Sequence, residues 1–143
     1  MLKHTAVRAF TRRLALSRAA AAALLPVGAA GNENGVRQAI AEFTGGAMPL
    51  DGGVNLLIPE IADNGGAVPV RVEAAAARRI ALFTDGNPYP GVAVFSLGRL
   101  ASSAAAIRIR LAGSQTVIAV AELADGSYRQ ATRSIAVTVG GCA

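Results

Sequence analysis

The sequence predicts an all-β sandwich of about seven strands with one short helix in front of it. Three observations lead there. Beyond Pro49 the chain breaks into short apolar runs at residues 54–58, 68–72, 80–83, 92–97, 107–111, 117–123 and 128–139. Between them lie turn-formers, among them Asp63-Asn64-Gly65-Gly66, Asp85-Gly86-Asn87-Pro88, Gly113-Ser114-Gln115 and Asp125-Gly126, residue types that tolerate tight or left-handed backbone. Within the runs, Ile107-Arg108-Ile109-Arg110-Leu111 alternates strictly, so a strand there puts three aliphatic side chains on one face and two guanidinium groups on the other.

Taken in order, residues 1–30 read as an export signal: a basic stretch, an apolar stretch from Ala19 to Leu25, and small residues at Val27-Gly28-Ala29-Ala30 suited to cleavage. Arg12 and Arg13, between Thr11 and Leu14, sharpen this to a twin-arginine signal, which implies a periplasmic destination. The apolar stretch is far shorter than the ~20 residues a membrane span requires, so no membrane association is expected of the mature form. The domain then covers residues 31–139. Its first element is a helix at residues 34–43, with Val36, Ile40 and Phe43 on one stripe and Gly45-Gly46 closing it. Ala74 to Ala77 has helical propensity but is too short for a helix and is expected to connect two strands. The low aromatic content, 4%, leaves an aliphatic sheet face that is expected to need cover, which a second subunit would supply.

Charge excludes one class of partner. The chain carries a net +5, yet Lys3, Arg8, Arg12, Arg13 and Arg18 all precede residue 30. The nine remaining basic residues are balanced by nine acidic ones. A neutral body without arginine-interleaved aromatics has no electrostatic footprint for nucleic acid. Cleavage of the signal would also remove His4 and Lys3, the only histidine and the only lysine. Such a chain assembles no Ser-His-Asp or Cys-His catalytic set, no ordinary zinc site and no Schiff base. No catalytic residue, metal site or cofactor is therefore expected. The Asp85-Gly86-Asn87-Pro88 segment has the composition of a calcium loop and is read as a tight turn. Tyr89, Phe95, Arg78 and Arg79 are read as core filling and solvated face before any role in a partner surface.

The chemistry concentrates at residues 140–143. Cys142, the single cysteine, follows Gly140 and Gly141, and two glycines after an apolar strand release the chain from the fold. The thiol is thus presented rather than buried, on an arm of about 13 Å at ~3.3 Å per residue. An unperturbed thiol with a pKa of about 8.5 is only ~3% thiolate at pH 7, so Cys142 is expected to be inert by itself and to react where a partner activates it. Two roles fit: a thiol that carries a covalent cargo, or a thiol that makes a stable intermolecular disulfide in a non-catalytic interaction module.

Ordered segments along nearly the whole mature chain resemble the SoxY family of sulfur-oxidation carriers. They are Pro49-Leu50-Asp51-Gly52-Gly53-Val54, Ile58-Pro59-Glu60-Ile61-Ala62-Asp63-Asn64-Gly65, Val68-Pro69-Val70, Phe83-Thr84-Asp85-Gly86-Asn87-Pro88, Arg108-Ile109-Arg110-Leu111-Ala112, Val117-Ile118-Ala119-Val120-Ala121-Glu122 and Val137-Thr138-Val139-Gly140-Gly141-Cys142. The resemblance implies an immunoglobulin-like sandwich paired with a SoxZ-like subunit in the periplasm. It implies that Cys142 bears thiosulfate-derived intermediates, that Gly140 and Gly141 make its arm mobile, and that SoxAX-, SoxB- and SoxCD-like enzymes act on the cargo. The pattern departs at the end: the family continues past the cysteine with two glycines, whereas this sequence reads Cys142-Ala143.

Overall fold

The computed structural model describes residues 32–138. Helix α1 (Glu33–Thr44) begins where the Asn32 side chain accepts a hydrogen bond from the Gly35 N–H at 3.0 Å, satisfying one of the donors that a helix start leaves open. It ends at Gly45, in the left-handed region at φ 66°, whose N–H donates to the Ala41 carbonyl, a helix stop that glycine makes without a side-chain penalty. The predicted helix is thus present and one residue longer at each end.

Among the described residues nine strands follow: β1 (Leu50–Asp51), β2 (Asn55–Leu57), β3 (Ile61–Ala62), β4 (Val68–Glu73), β5 (Ala77–Thr84), β6 (Gly91–Ser96), β7 (Ala104–Ile109), β8 (Gln115–Leu123) and β9 (Tyr128–Val137). Seven of them correspond to the seven apolar runs. The two others, β1 and β3, are two-residue segments that pair in parallel with β9; they are too short to carry a period-2 pattern. The larger sheet runs β1-β9-β8-β5-β6 with β3 also on β9, and the smaller runs β2-β4-β7. The Ala74–Ala77 segment is a connection, as expected, with Ala76 at φ 57° and the Ala77 N–H donating to the Ala74 carbonyl.

The two sheets pack face to face. Val68, Val70 and Val72 of β4, Leu56 of β2 and Ile109 of β7 meet Ile80 and Leu82 of β5, Val117, Ala119 and Ala121 of β8 and Ile135 of β9 in one aliphatic core. The alternation at residues 107–111 is borne out in burial: Ile109 and Leu111 are buried, Ile107 is half-buried, and Arg108 and Arg110 are exposed. The regular strand stops at Ile109, and the alternation outlasts it by two residues because Leu111 donates its N–H to the Gly65 carbonyl at 2.7 Å and stays in the core.

One expectation is corrected. The outer face of the larger sheet is covered by the chain's own helix: Val36, Ala39, Ile40 and Phe43 of α1 lie on Ala81, Phe83, Ile118, Val120 and Tyr128. The sheet face that seemed to call for a second subunit is thus closed intramolecularly, since a 12-residue amphipathic helix suffices to cover the middle strands. Exposed large apolar side chains are dispersed, at Met48, Leu50, Leu57, Ile61, Tyr89, Val94 and Leu100, and single exposed apolar residues are ordinary on a protein surface. None of the described helices is long and apolar enough to cross a membrane.

Candidate functional site

Cys142, Gly140, Gly141, Arg12 and Arg13 lie outside the described residues. What the structure places is the base from which residues 139–143 continue. That base is the end of β9, and it is gripped from both sides. On one side β3 runs parallel to it, with Ile61 opposite Ala136 and Ala62 opposite Val137. The Ala136 N–H donates to the Glu60 carbonyl and the Thr138 N–H to the Ala62 carbonyl, each at 2.9 Å. On the other side the Val137 N–H donates to Ser114 Oγ at 2.9 Å. Paired backbone of this kind does not fray cheaply, so the fold holds the chain as far as Thr138.

Close packing reinforces the grip. A Cβ on Gly65 would stand 2.4 Å from the Leu111 carbonyl oxygen and 3.0 Å from Val137 Cγ1, so the loop after β3 approaches the end of β9 only because this residue has no side chain. The sequence shows Gly65 as part of a turn signal; its second role as a contact surface depends on strands far apart in the chain.

Next to this base, two loops are latched together. The Asn87 side chain donates to the Arg110 carbonyl at 2.8 Å and accepts from the Ala112 N–H at 2.9 Å. Gln115, buried, bridges them: its amide nitrogen reaches Asn87 Oδ1 at 3.1 Å and the Gly113 carbonyl at 3.0 Å, and its oxygen accepts from the Gly86 N–H at 3.0 Å. Asp85 Oδ1 accepts from the Thr116 N–H at 2.7 Å. The side-chain oxygens Asp85 Oδ1 and Asn87 Oδ1 are therefore committed to donors of the facing loop and strand rather than to their own turn. The result is a braced pole, with residues 85–90, 110–115 and the end of β9 fixed to one another. Sequence reading found the turn at residues 85–88 and missed the latch; the one local signal was Gln115, a polar residue at the head of a largely apolar strand.

Arg79, read from sequence as solvated face or partner surface, instead ties α1 to the sheet. Its Nε donates to Glu122, and its guanidinium lies 4.7 Å from the Phe43 ring centre. The hydrogen bond from Arg79 to Glu122 holds the guanidinium pKa above its already high ordinary value. Phe95 packs against the aliphatic core, while Tyr89 is 83% exposed at the braced pole. Among the described residues no group of three or more His, Cys, Asp or Glu side chains is placed to hold a metal ion.

Comparison with known proteins bears on this geometry. The family model for sulfur oxidation protein SoxY matches residues 40–142, a stretch that includes the braced pole, the glycine pair and Cys142. The structure of the sulfur carrier protein SoxY from Chlorobium limicola f thiosulfatophilum is similar over 75% of this chain and 99% of that one, with 31% identity and a TM-score of 0.64. A superoxide reductase (neelaredoxin) from Ignicoccus hospitalis shares 17% identity over 60% of this chain and 80% of that one, with a TM-score of 0.53; at that identity the likeness is one of fold alone. No protein of the curated set matches the chain significantly. An immunoglobulin-like sandwich with this strand order, matched by the family model as far as the terminal cysteine, makes the chain a member of the SoxY sulfur-oxidation family.

Proposed function

We propose that this protein is a periplasmic covalent sulfur carrier without catalytic machinery of its own, exported by the twin-arginine signal at Arg12 and Arg13. Its cargo is held on Cys142. The observation that carries the reading is the family match through residue 142, in a chain whose single cysteine sits five residues beyond a strand end held from both sides. A rigid base and a glycine tether divide the work: the base sets where the arm originates, and Gly140 and Gly141 let it reorient. A cargo site that must visit several enzymes needs both.

In this reading thiosulfate is joined to the Cys142 sulfur with loss of two electrons and the thiol proton, the electrons passing to a SoxAX-like haem enzyme. Water then attacks the outer sulfur at a SoxB-like enzyme, sulfate leaves, and sulfane sulfur remains on the cysteine for a SoxCD-like enzyme or another acceptor. A SoxZ-like subunit completes the carrier. The protein itself supplies a nucleophilic sulfur and its positioning; it needs no bound cofactor for that. Low intrinsic reactivity of the thiol suits a carrier, because cargo must survive between stations.

Intact mass spectrometry of the protein isolated from its own periplasm after growth on thiosulfate, before and after mild reductant, tests the reading. Reductant-labile masses of sulfane or thiosulfonate groups on Cys142 are expected. A free thiol alone, or a stable disulfide to a second protein, would overturn it in favour of an interaction module.

A further inference from the structure

The sequence holds two Asn-Gly pairs, Asn34-Gly35 and Asn64-Gly65. Such a pair can modify itself. The backbone nitrogen of the glycine attacks the asparagine Cγ, unhindered because the glycine has no side chain, and ammonia leaves as a five-membered succinimide closes. Water then opens the ring at either carbonyl. One amide and one water become a carboxylate and ammonia, with no electron transferred. Opening at one carbonyl gives aspartate; opening at the other gives isoaspartate, in which the side-chain methylene has entered the main chain.

The fold treats the two pairs in opposite ways. At the start of α1 the Gly35 N–H donates to Asn32 Oδ1 at 3.0 Å, and the helical backbone fixes the Asn34 dihedrals, so the attacking nitrogen is occupied. Asn64 is exposed and its backbone is extended, at φ −142° and ψ 111°. Among the described residues the Gly65 N–H has no hydrogen-bond acceptor. The Gly66 N–H, by contrast, donates to Asn64 Oδ1 at 2.7 Å. That oxygen is where negative charge gathers as the nitrogen adds to Cγ, so a backbone donor for the intermediate is already in place. We propose that Asn64 is a self-modification site, which deamidates through a succinimide with Gly65 while Asn34 is spared.

The location gives the reaction a consequence, whether or not the chain is a carrier. The Gly65 carbonyl accepts from the Leu111 N–H at 2.7 Å, and a Cβ on Gly65 would collide with the Leu111 carbonyl oxygen. Just before it, the Ala62 carbonyl accepts from the Thr138 N–H at 2.9 Å. An isoaspartyl link puts one extra main-chain atom between these two anchors. A contact without room for a methyl group does not absorb that atom, so the grip on the end of β9 loosens. Aspartate keeps the main-chain length and still accepts from Gly66, and leaves the grip intact.

The test ages the purified protein, with any subunit that copurifies, in mildly alkaline buffer made with oxygen-18 water, so that each deamidation installs a heavy oxygen. Trypsin separates the two pairs, because residues 38–71 hold Asn64 and the peptide ending at Arg37 holds Asn34. Fragmentation is expected to find label at Asn64 about tenfold sooner than at Asn34, the effect of the one hydrogen bond that must break at Gly35. Unfolding in urea is expected to bring the two rates together. Amide hydrogen exchange at Ala136 and Thr138 is expected to be faster in the aged, labelled protein than in freshly made Asn64→Asp. The proposal falls if Asn34 labels as fast as Asn64 in the folded protein, if the difference survives urea, or if the aged protein exchanges those two amides no faster than the variant.

Discussion

The two faces of the larger sheet are covered in different ways. Its inner face meets a second sheet, and the contact is built from Val, Ile, Leu and Ala, with Ile80, Leu82, Val117, Ala119 and Ala121 all fully removed from water. Its outer face meets a single helix, and there an aromatic cluster joins the aliphatic contact. Phe43 sits edge-on to Phe83 at 6.2 Å and to Tyr128 at 6.1 Å between ring centres, and Arg79 lies over the same ring. Two facing pleated surfaces interdigitate aliphatic side chains over their whole area. A lone helix touches a sheet along one stripe, and a few large rings cover the area that stripe leaves open. The inner contact is therefore where most of the stability resides, and the outer contact is a smaller module anchored at Phe43.

Substitutions that probe each face separately test that division. Leu82→Ala, which opens a cavity in the inner core, is expected to cost about 3–4 kcal/mol in chemical denaturation. Phe43→Ala, at a half-buried ring, is expected to cost about 2 kcal/mol, the loss of two edge-to-face contacts and the apolar area beneath them. A Phe43 variant as damaging as the Leu82 variant would mean that helix and sandwich form one cooperative core, and the distinction between the faces would fail.

Arg79→Met is expected to have a smaller effect, about 1 kcal/mol, because its partner and ring are both partly solvated. In a double-mutant cycle with Phe43→Leu it should be non-additive. Additive behaviour would remove Arg79 from the anchor.

The smallest effect is one of pH, and it lies off both cores. The Ser127 side chain and N–H donate to Asp125 and hold its carboxyl below the ordinary 3.8, and a hydrogen bond from Arg71 lowers Glu73 below 4.5. For each group the folded pKa lies under the unfolded one, so the stabilisation is present above the unfolded value and is lost as pH falls through the folded value. Thermal unfolding followed below about pH 4 should show a shallow decline that Asp125→Asn flattens slightly; an unchanged slope would assign the acid sensitivity elsewhere.

Legibility from sequence tracked how each strand is buried. β4 reads clearly, with Val68, Val70 and Val72 buried and Pro69 and Arg71 exposed, since one wet face imposes a period of two. β5 and β8 do not, because residues on both their faces are covered: Ile80 and Leu82 by the small sheet, Ala81 and Phe83 by the helix. A strand buried on both sides is a continuous apolar run that shows position without showing face. The same limit explains why the outer face seemed to lack cover. The stripe Val36, Ile40, Phe43 was legible, and its docking site was not. At the pole, the turn at Asp85-Gly86-Asn87-Pro88 was legible from residue type, whereas the latch from Asn87 to Arg110, Ala112 and Gln115 joins positions more than 20 residues apart and leaves no local trace.

Neighbours along the chain were enough to show the helix with its glycine stop, the seven apolar runs that became strands, the family, and a single cysteine behind two glycines, because periodicity and composition are local properties. Only the tertiary structure decided that α1 closes the outer face, that Gly65 admits the close approach of the β3 loop to β9, and that the loops at residues 85–90 and 110–115 form one braced pole beside the strand that leads to Cys142. Those are contacts between residues remote in sequence, and their energies depend on distances that no local pattern encodes.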